Sequence, residues 1–150
     1  MQKFRYIKYQ NQEEYDSYIS LLDQNQGDHI LKQNAYLVFL KKQGNQNDQF
    51  VGIFNLCPFY SQKIEIRRWI LPELRNQGLG TEIAQDISNF AFSLFPESDE
   101  MIANVHYENT SSQKSMQKAG YTLDQNEYEK RQELGEGHYF IPYIKKKTIS

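Results

Sequence analysis

The densest run of residues suited to chemistry is Ile70-Leu71-Pro72-Glu73-Leu74-Arg75-Asn76-Gln77-Gly78-Leu79-Gly80-Thr81. A strand-like segment ends there, a polar loop turns, and a segment of helical apolar period begins at two glycines. Gly78 and Gly80 lack Cβ, so main-chain N–H groups beside them can approach a ligand closely. The first N–H groups of a helix have no intrahelical acceptor, and with the macrodipole they favour an anion, typically phosphate. Thr81 adds a hydroxyl donor and Arg75 a positive charge. The competing reading is a tight turn whose glycines serve geometry alone, since short motifs recur by chance. Two phosphate loops are excluded. The sequence has no Gly-Lys-Ser/Thr run of a P-loop, and Ile83 stands where a dinucleotide fingerprint needs its third glycine.

Other reactive types are scattered. His29, His106 and His138 share no metal-ligand spacing with the single Cys57, so no metal site is expected. Cys57 reads as a structural thiol, because nothing in the sequence places a histidine beside it. His106 lies on the less apolar face of a strand and reads as structural or exposed rather than as a base. His138 and Tyr139 open the last strand, at the surface or in an acceptor pocket. Trp69 reads as core or pocket wall, and only one of Arg67 and Arg68 can face a given side of its strand.

Composition narrows the classes further. The 150 residues are 39% hydrophobic and 24% charged, which suits one folded domain over residues 1–150. A formal net charge of -2 argues against a nucleic-acid footprint. One cysteine rules out an internal disulfide framework. No stretch reads as a membrane span or an apolar leader, so a cytoplasmic location is expected. Lys145-Lys146-Lys147 reads as a solvated tail.

The elements that must position the glycine run follow from periodicity. Residues 4–9 alternate as a strand. Asn11 and Glu14 are spaced as a capping box, and Tyr15, Tyr18, Ile19 and Leu22 share a helical face. Gly27 breaks the pattern, and Asp28 is expected to cap a short helix reaching Lys32. Residues 35–40 and 49–56 read as a hairpin around Gly44-Asn45. Residues 64–71 form a further strand. Leu79, Ile83, Ile87, Phe90, Ala91 and Leu94 mark the clearest helix, stopped by Pro96. Residues 101–107 are a strand with Met101, Ala103, Val105 and Tyr107 on one face. Residues 111–119 form a helix closed by Gly120. Strands are expected over residues 121–128 and 138–144. The order β-α-α-β-β-β-α-β-α-β-β predicts an α/β (α+β) fold with a mixed sheet covered by helices.

Arg75, Gly78 and Gly80, with Ile70, Pro72 and Glu73 before them and a helix after, resemble the signature of the GCN5-related N-acetyltransferases. Val105, Asn109-Thr110-Ser111-Ser112 and Lys118-Ala119-Gly120-Tyr121 resemble that family's downstream segment. The resemblance covers residues 62–121. It implies a mostly antiparallel central sheet with helices on both faces and two splayed parallel strands, residues 64–71 and 101–107. It also implies acetyl-CoA as co-substrate. Main-chain groups of Ile70 and Leu71 would meet the pantetheine arm. Arg75, Asn76, Gln77, Gly78, Leu79, Gly80 and Thr81 would hold the pyrophosphate, and Asn109 would bond the pantetheine. Family members are often dimers, which keeps a homodimer in view.

Departures from the family pattern concern the proton-transfer groups. Met116 stands where many members have a tyrosine acid. Asn104 stands where some N-terminal acetyltransferases have a glutamate base. Ile64 holds the glutamate place of histone-type members, with Glu65 one residue off and pointing to the other face. The branch acting on ribosomal-protein N-termini matches better locally. Ser112 fills its serine place as candidate acid and cofactor contact, and Asp124, Glu129, Gly135 and Tyr143 match its spacings. Glu129 is then the candidate base. The expected function is direct acetyl transfer to an amine of a small molecule, peptide or protein N-terminus. A non-catalytic acyl-CoA-binding module, or a nucleotide-binding protein using the same loop, are the alternatives.

Overall fold

The computed structural model describes residues 3–26, 32–59, 62–75, 77–135 and 139–148. Among these residues, seven strands hydrogen-bond in the order β1-β2-β3-β4-β5-β7-β6, numbered along the chain, with four helices, α1 to α4, between them. β1 with β2, β2 with β3, β5 with β7 and β6 with β7 pair antiparallel, and β4 with β5 pairs parallel, as the resemblance implies. The chain forms two compact units, Met1–Leu56 with Arg67–Arg75, and Cys57–Ile66 with Asn76–Ser150.

The first unit is built on aromatic packing. β1 (Phe4–Lys8) runs antiparallel to β2 (Ala35–Leu40), with Phe4 opposite Leu40 and Lys8 opposite Tyr36. β2 pairs in turn with β3 (Gln49–Phe59), with an irregularity at Val38/Phe39. Helix α1 (Glu13–Gln26) presents Ile19 and Leu22 to a core of Leu37, Phe39, Phe50, Ile53, Trp69 and Leu71. Tyr18 packs on Phe50 with ring centroids 4.3 Å apart. A side chain at Gly52 would put its Cβ 2.3 Å from the Trp69 carbonyl oxygen, so only glycine admits this strand approach. The expected capping box at Asn11 is corrected. Asn11 has φ of 64° and makes the turn, and the helix starts two residues later.

In the second unit, β5 (Glu100–His106) pairs along its full length with β7 (Phe140–Lys146), from Glu100 opposite Lys146 to His106 opposite Phe140. Its parallel register with β4 (Lys63–Ile70) runs from Lys63 opposite Glu100 to Glu65 opposite Ile102. Met101, Ala103 and Val105 are buried, as their alternation predicts. Helix α2 (Leu79–Leu94) buries Ile83, Ala84, Ile87, Ser88, Ala91 and Phe92, whereas Leu94 is exposed. Helix α3 (Thr110–Lys118) follows β5 and buries Met116.

Two further expectations change, and a third lies mostly outside the described residues. The strand expected over 121–128 shrinks to β6 (Thr122–Leu123), and α4 (Gln125–Leu134) takes its place. Asp124 caps α4 by accepting from the Glu127 N–H at 3.2 Å, and Gly135 closes it with φ of 67°. Lys145 and Lys147 are not a solvated tail. Lys145 Nζ donates to the Ala119 carbonyl at the end of α3 at 2.7 Å, and Lys147 Nζ to the Pro96 carbonyl at 3.1 Å. Both cations thus meet orphan carbonyls that follow helices. The helix expected from Asp28 lies mostly outside the described residues, of which only a 3₁₀ turn, Lys32–Asn34, follows.

Candidate functional site

Pro72 ends β4 and starts a 3₁₀ turn, Pro72–Leu74, in which its fixed φ suits the first position. The Leu71 N–H donates to the Val51 carbonyl at 3.0 Å. By strand alternation, the Ile70 amide and carbonyl face the other edge of β4. The Ile70 carbonyl accepts from Arg75 Nε at 3.3 Å, so the guanidinium is turned back onto its own strand.

Gly78 is the residue before α2 and has φ of 77°, a left-handed conformation that other residues rarely adopt. A Cβ placed there meets nothing within 4 Å. The glycine is therefore required by its backbone angle, and it leaves space at the helix start. Its carbonyl accepts from the Glu82 N–H at 3.4 Å, opening the helical ladder. The amides of Leu79, Gly80 and Thr81 lie in the first turn of α2, ahead of that bond. Gly78, at the cap position, has no side chain to bond this end. Three amides, a helix dipole and open space suit a diphosphate. Asn76 lies outside the described residues.

Asn109 is the cap of α3, and its Oδ1 accepts from the Ser112 N–H at 3.0 Å. Ser112 is half-buried in the first turn of this helix, where the dipole favours negative charge. Met116 lies 2% exposed in the core, so the place of the missing tyrosine is filled by packing. Tyr143 is buried in β7, donates to Gln113 Oε1 at 3.0 Å, and accepts from Gln117 Nε2 at 3.4 Å. Burial raises its phenol above the ordinary range. Glu129 stands exposed on α4 and accepts from Gln125 Nε2 at 3.0 Å. Asp124 and Gly135, two other positions matched by spacing, are the two ends of that helix.

His106 stacks near Tyr107 and meets Phe140 edge-on, with centroids 5.0 and 5.5 Å away. Its Nδ1 accepts from the Glu108 N–H at 3.2 Å. Tyr107, Tyr139 and Phe140 around it are exposed. His138 lies outside the described residues.

Sequence reasoning set aside one pair that the fold brings together. Asn104 Nδ2 donates to Glu65 Oε2 at 2.7 Å. Glu65 is 8% exposed, one of few buried polar residues among those described. The signal was a carboxylate in an apolar strand segment, Ile64-Glu65-Ile66, but its partner lies 39 positions away.

The family model of the acetyltransferase (GNAT) domain matches residues 1–122. Among solved structures, the chain is similar to a GNAT-family acetyltransferase from Bacillus anthracis, with 16% identity and a TM-score of 0.67 over 97% of this chain and 95% of that one. It is similar to the N-acetyltransferase PseH of Campylobacter jejuni in complex with acetyl coenzyme A, with 16% identity and a TM-score of 0.56 over 90% and 81% of the two chains. A third is the IAA acetyltransferase from Bacillus cereus, with 14% identity and a TM-score of 0.63 over 96% and 98%. At these identities the likeness is one of fold. No curated protein sequence matches the chain.

Proposed function

The chain belongs to the GNAT acetyltransferases, and from that premise we propose that it moves the acetyl group of acetyl-CoA directly to an amine of a small molecule, peptide or protein N-terminus. The observation that carries this reading is the start of α2. A left-handed Gly78, open space where a Cβ would stand and the start of a sixteen-residue helix suit a diphosphate.

Acetyl-CoA supplies an acetyl group activated as a thioester. The amides of Leu79, Gly80 and Thr81 hold the phosphates, and Arg75 and Gln77 are polar residues of the segment that leads into α2. The Ile70 main chain, rather than the engaged Leu71 N–H, offers hydrogen bonds to the pantetheine arm. Asn109 uses Oδ1 as a helix cap and has its Nδ2 donors for the same arm. The acceptor nitrogen attacks only when neutral, so it must shed a proton before or during attack. The departing sulfur needs the opposite service. Ser112, with a hydroxyl in the first turn of α3, is the candidate donor. Glu129 is exposed and held by Gln125, so we give it no step.

Titration calorimetry tests the reading directly. Acetyl-CoA is expected to bind with a release of heat that Gly80→Asp abolishes, while ATP and NAD bind more weakly. Tighter binding of either nucleotide would overturn it. A thiol-release assay over a panel of amines then separates an enzyme from a binding module.

A further inference from the structure

The Glu65–Asn104 pair is oriented by chemistry. A carboxylate only accepts, so the Asn104 amide must turn its Nδ2 toward Glu65. This leaves Asn104 Oδ1 pointing elsewhere. That oxygen is buried and, among the described residues, has no hydrogen-bond partner. Native proteins answer nearly every buried polar atom, and an unanswered one calls for a reason. The pair also sits at a defined place. The parallel register of β4 and β5 runs through Glu65 opposite Ile102, and Asn104 is the next residue of β5 on the Ile102 face.

We propose that Asn104 Oδ1 is the seat of the acceptor amine, and that Glu65 is the positioning residue that holds the amide in the receiving orientation. This rests on the acetyl-transfer reading for its purpose, though not for its binding test. The ligand it takes is a nitrogen with a hydrogen to donate and a positive charge to lose. The fixed oxygen accepts one N–H, and the buried carboxylate next to it favours the cation. Orientation follows too, because a nitrogen donating to Oδ1 has its remaining hydrogens and, once deprotonated, its lone pair directed away from that oxygen. Nothing in this arrangement serves a nucleophile that lacks N–H or O–H, so thiol acceptors are excluded.

The test uses the full chain and n-butylamine as probe, read by ligand-detected NMR with and without CoA. Wild type is expected to bind the probe, and Asn104→Ala to bind it about tenfold or more weakly, the fold-change of one charged hydrogen bond. Glu65→Gln keeps the shape but lets the Asn104 amide turn over. It is expected to raise the acceptor KM several-fold, with the acetyl-CoA Kd unchanged. A merely structural pair would lower Tm in both variants and leave the acceptor KM alone. Equal probe binding by wild type and a folded Asn104→Ala, or no binding by wild type in either state, overturns the proposal. Failure of acetyl-CoA to bind overturns the transfer reading instead, and the amine measurement still decides this one.

Discussion

Two buried polar pairs of the second unit differ in how completely they are answered. Ser88 Oγ donates to the Ala84 carbonyl at 2.6 Å and lies 2.7 Å from the Tyr121 hydroxyl. Its one proton goes to the carbonyl, so Tyr121 must donate to Ser88, with Met101 Sδ 3.8 Å from the phenol oxygen. Every proton has an acceptor, and Ser88 and Met101 are both 0% exposed. The second pair, Glu65 and Asn104, is joined by a bond of 2.7 Å but leaves Oδ1 without a partner among the described residues. A closed network specifies packing. A network with an open acceptor keeps a place for something else, and folding carries its cost.

Replacing both members of each pair by apolar residues separates the two roles most sharply. Glu65→Leu with Asn104→Leu is expected to leave Tm unchanged or raised, since an apolar pair removes the desolvation penalty. The same variant should lose about tenfold or more in kcat/KM for the acceptor, the loss of the one bond that Asn104 Oδ1 accepts, since Glu65 acts only through Asn104. A large fall in Tm with activity intact would erase the distinction. Next in size is Ser88→Ala, which strands the Tyr121 hydroxyl. Chemical denaturation should show a loss of about 2 kcal/mol, with kcat/KM within twofold of wild type. Tyr121→Phe removes the donor and keeps the ring, so its loss should be smaller, about 1 kcal/mol. A change in acceptor KM in either variant would mean that the closed network also touches substrate.

The smallest effect concerns alkaline stability. Burial raises the Tyr36 and Tyr143 phenols above their ordinary value of 10.0. The folded state therefore holds their protons more tightly than the unfolded chain does. Their contribution is complete below pH 10 and is lost as pH rises through the folded values. Circular dichroism against pH, with phenolate absorbance, should show unfolding begin above about pH 10. Tyr143→Phe should move that midpoint upward while lowering neutral-pH stability by about 1 kcal/mol through the lost Gln113 and Gln117 bonds.

Much of this architecture was legible before folding because it is local. Helix α2 announces itself by Ile83, Ile87 and Ala91 at helical spacing, and β5 by the alternation of Met101, Ala103 and Val105, all of them buried. The glycine run is likewise local, since Gly78 and the amides after it need only the turn and the helix that follow. Helix α4 escaped because it buries no residue, so it carries no apolar period to read. Its signals were polar ones, Asp124 three before Glu127 and the closing Gly135. Lys145 looked like tail because a charge run reads as solvated. Its role at the end of α3 depends on β7 lying beside Ala119 and Gly120.

The sequence by itself determined the family, the glycine turn before α2 and the absence of a tyrosine at position 116, because each is a matter of residue type at fixed spacing. Tertiary structure decided what Glu65 and Asn104 do. A strand fixes which face a side chain takes, through its period of two. It does not fix which strand lies alongside or in what register, and here register puts a carboxylate against an amide 39 residues away. That pairing orients an oxygen that no reading of either segment alone could have aimed.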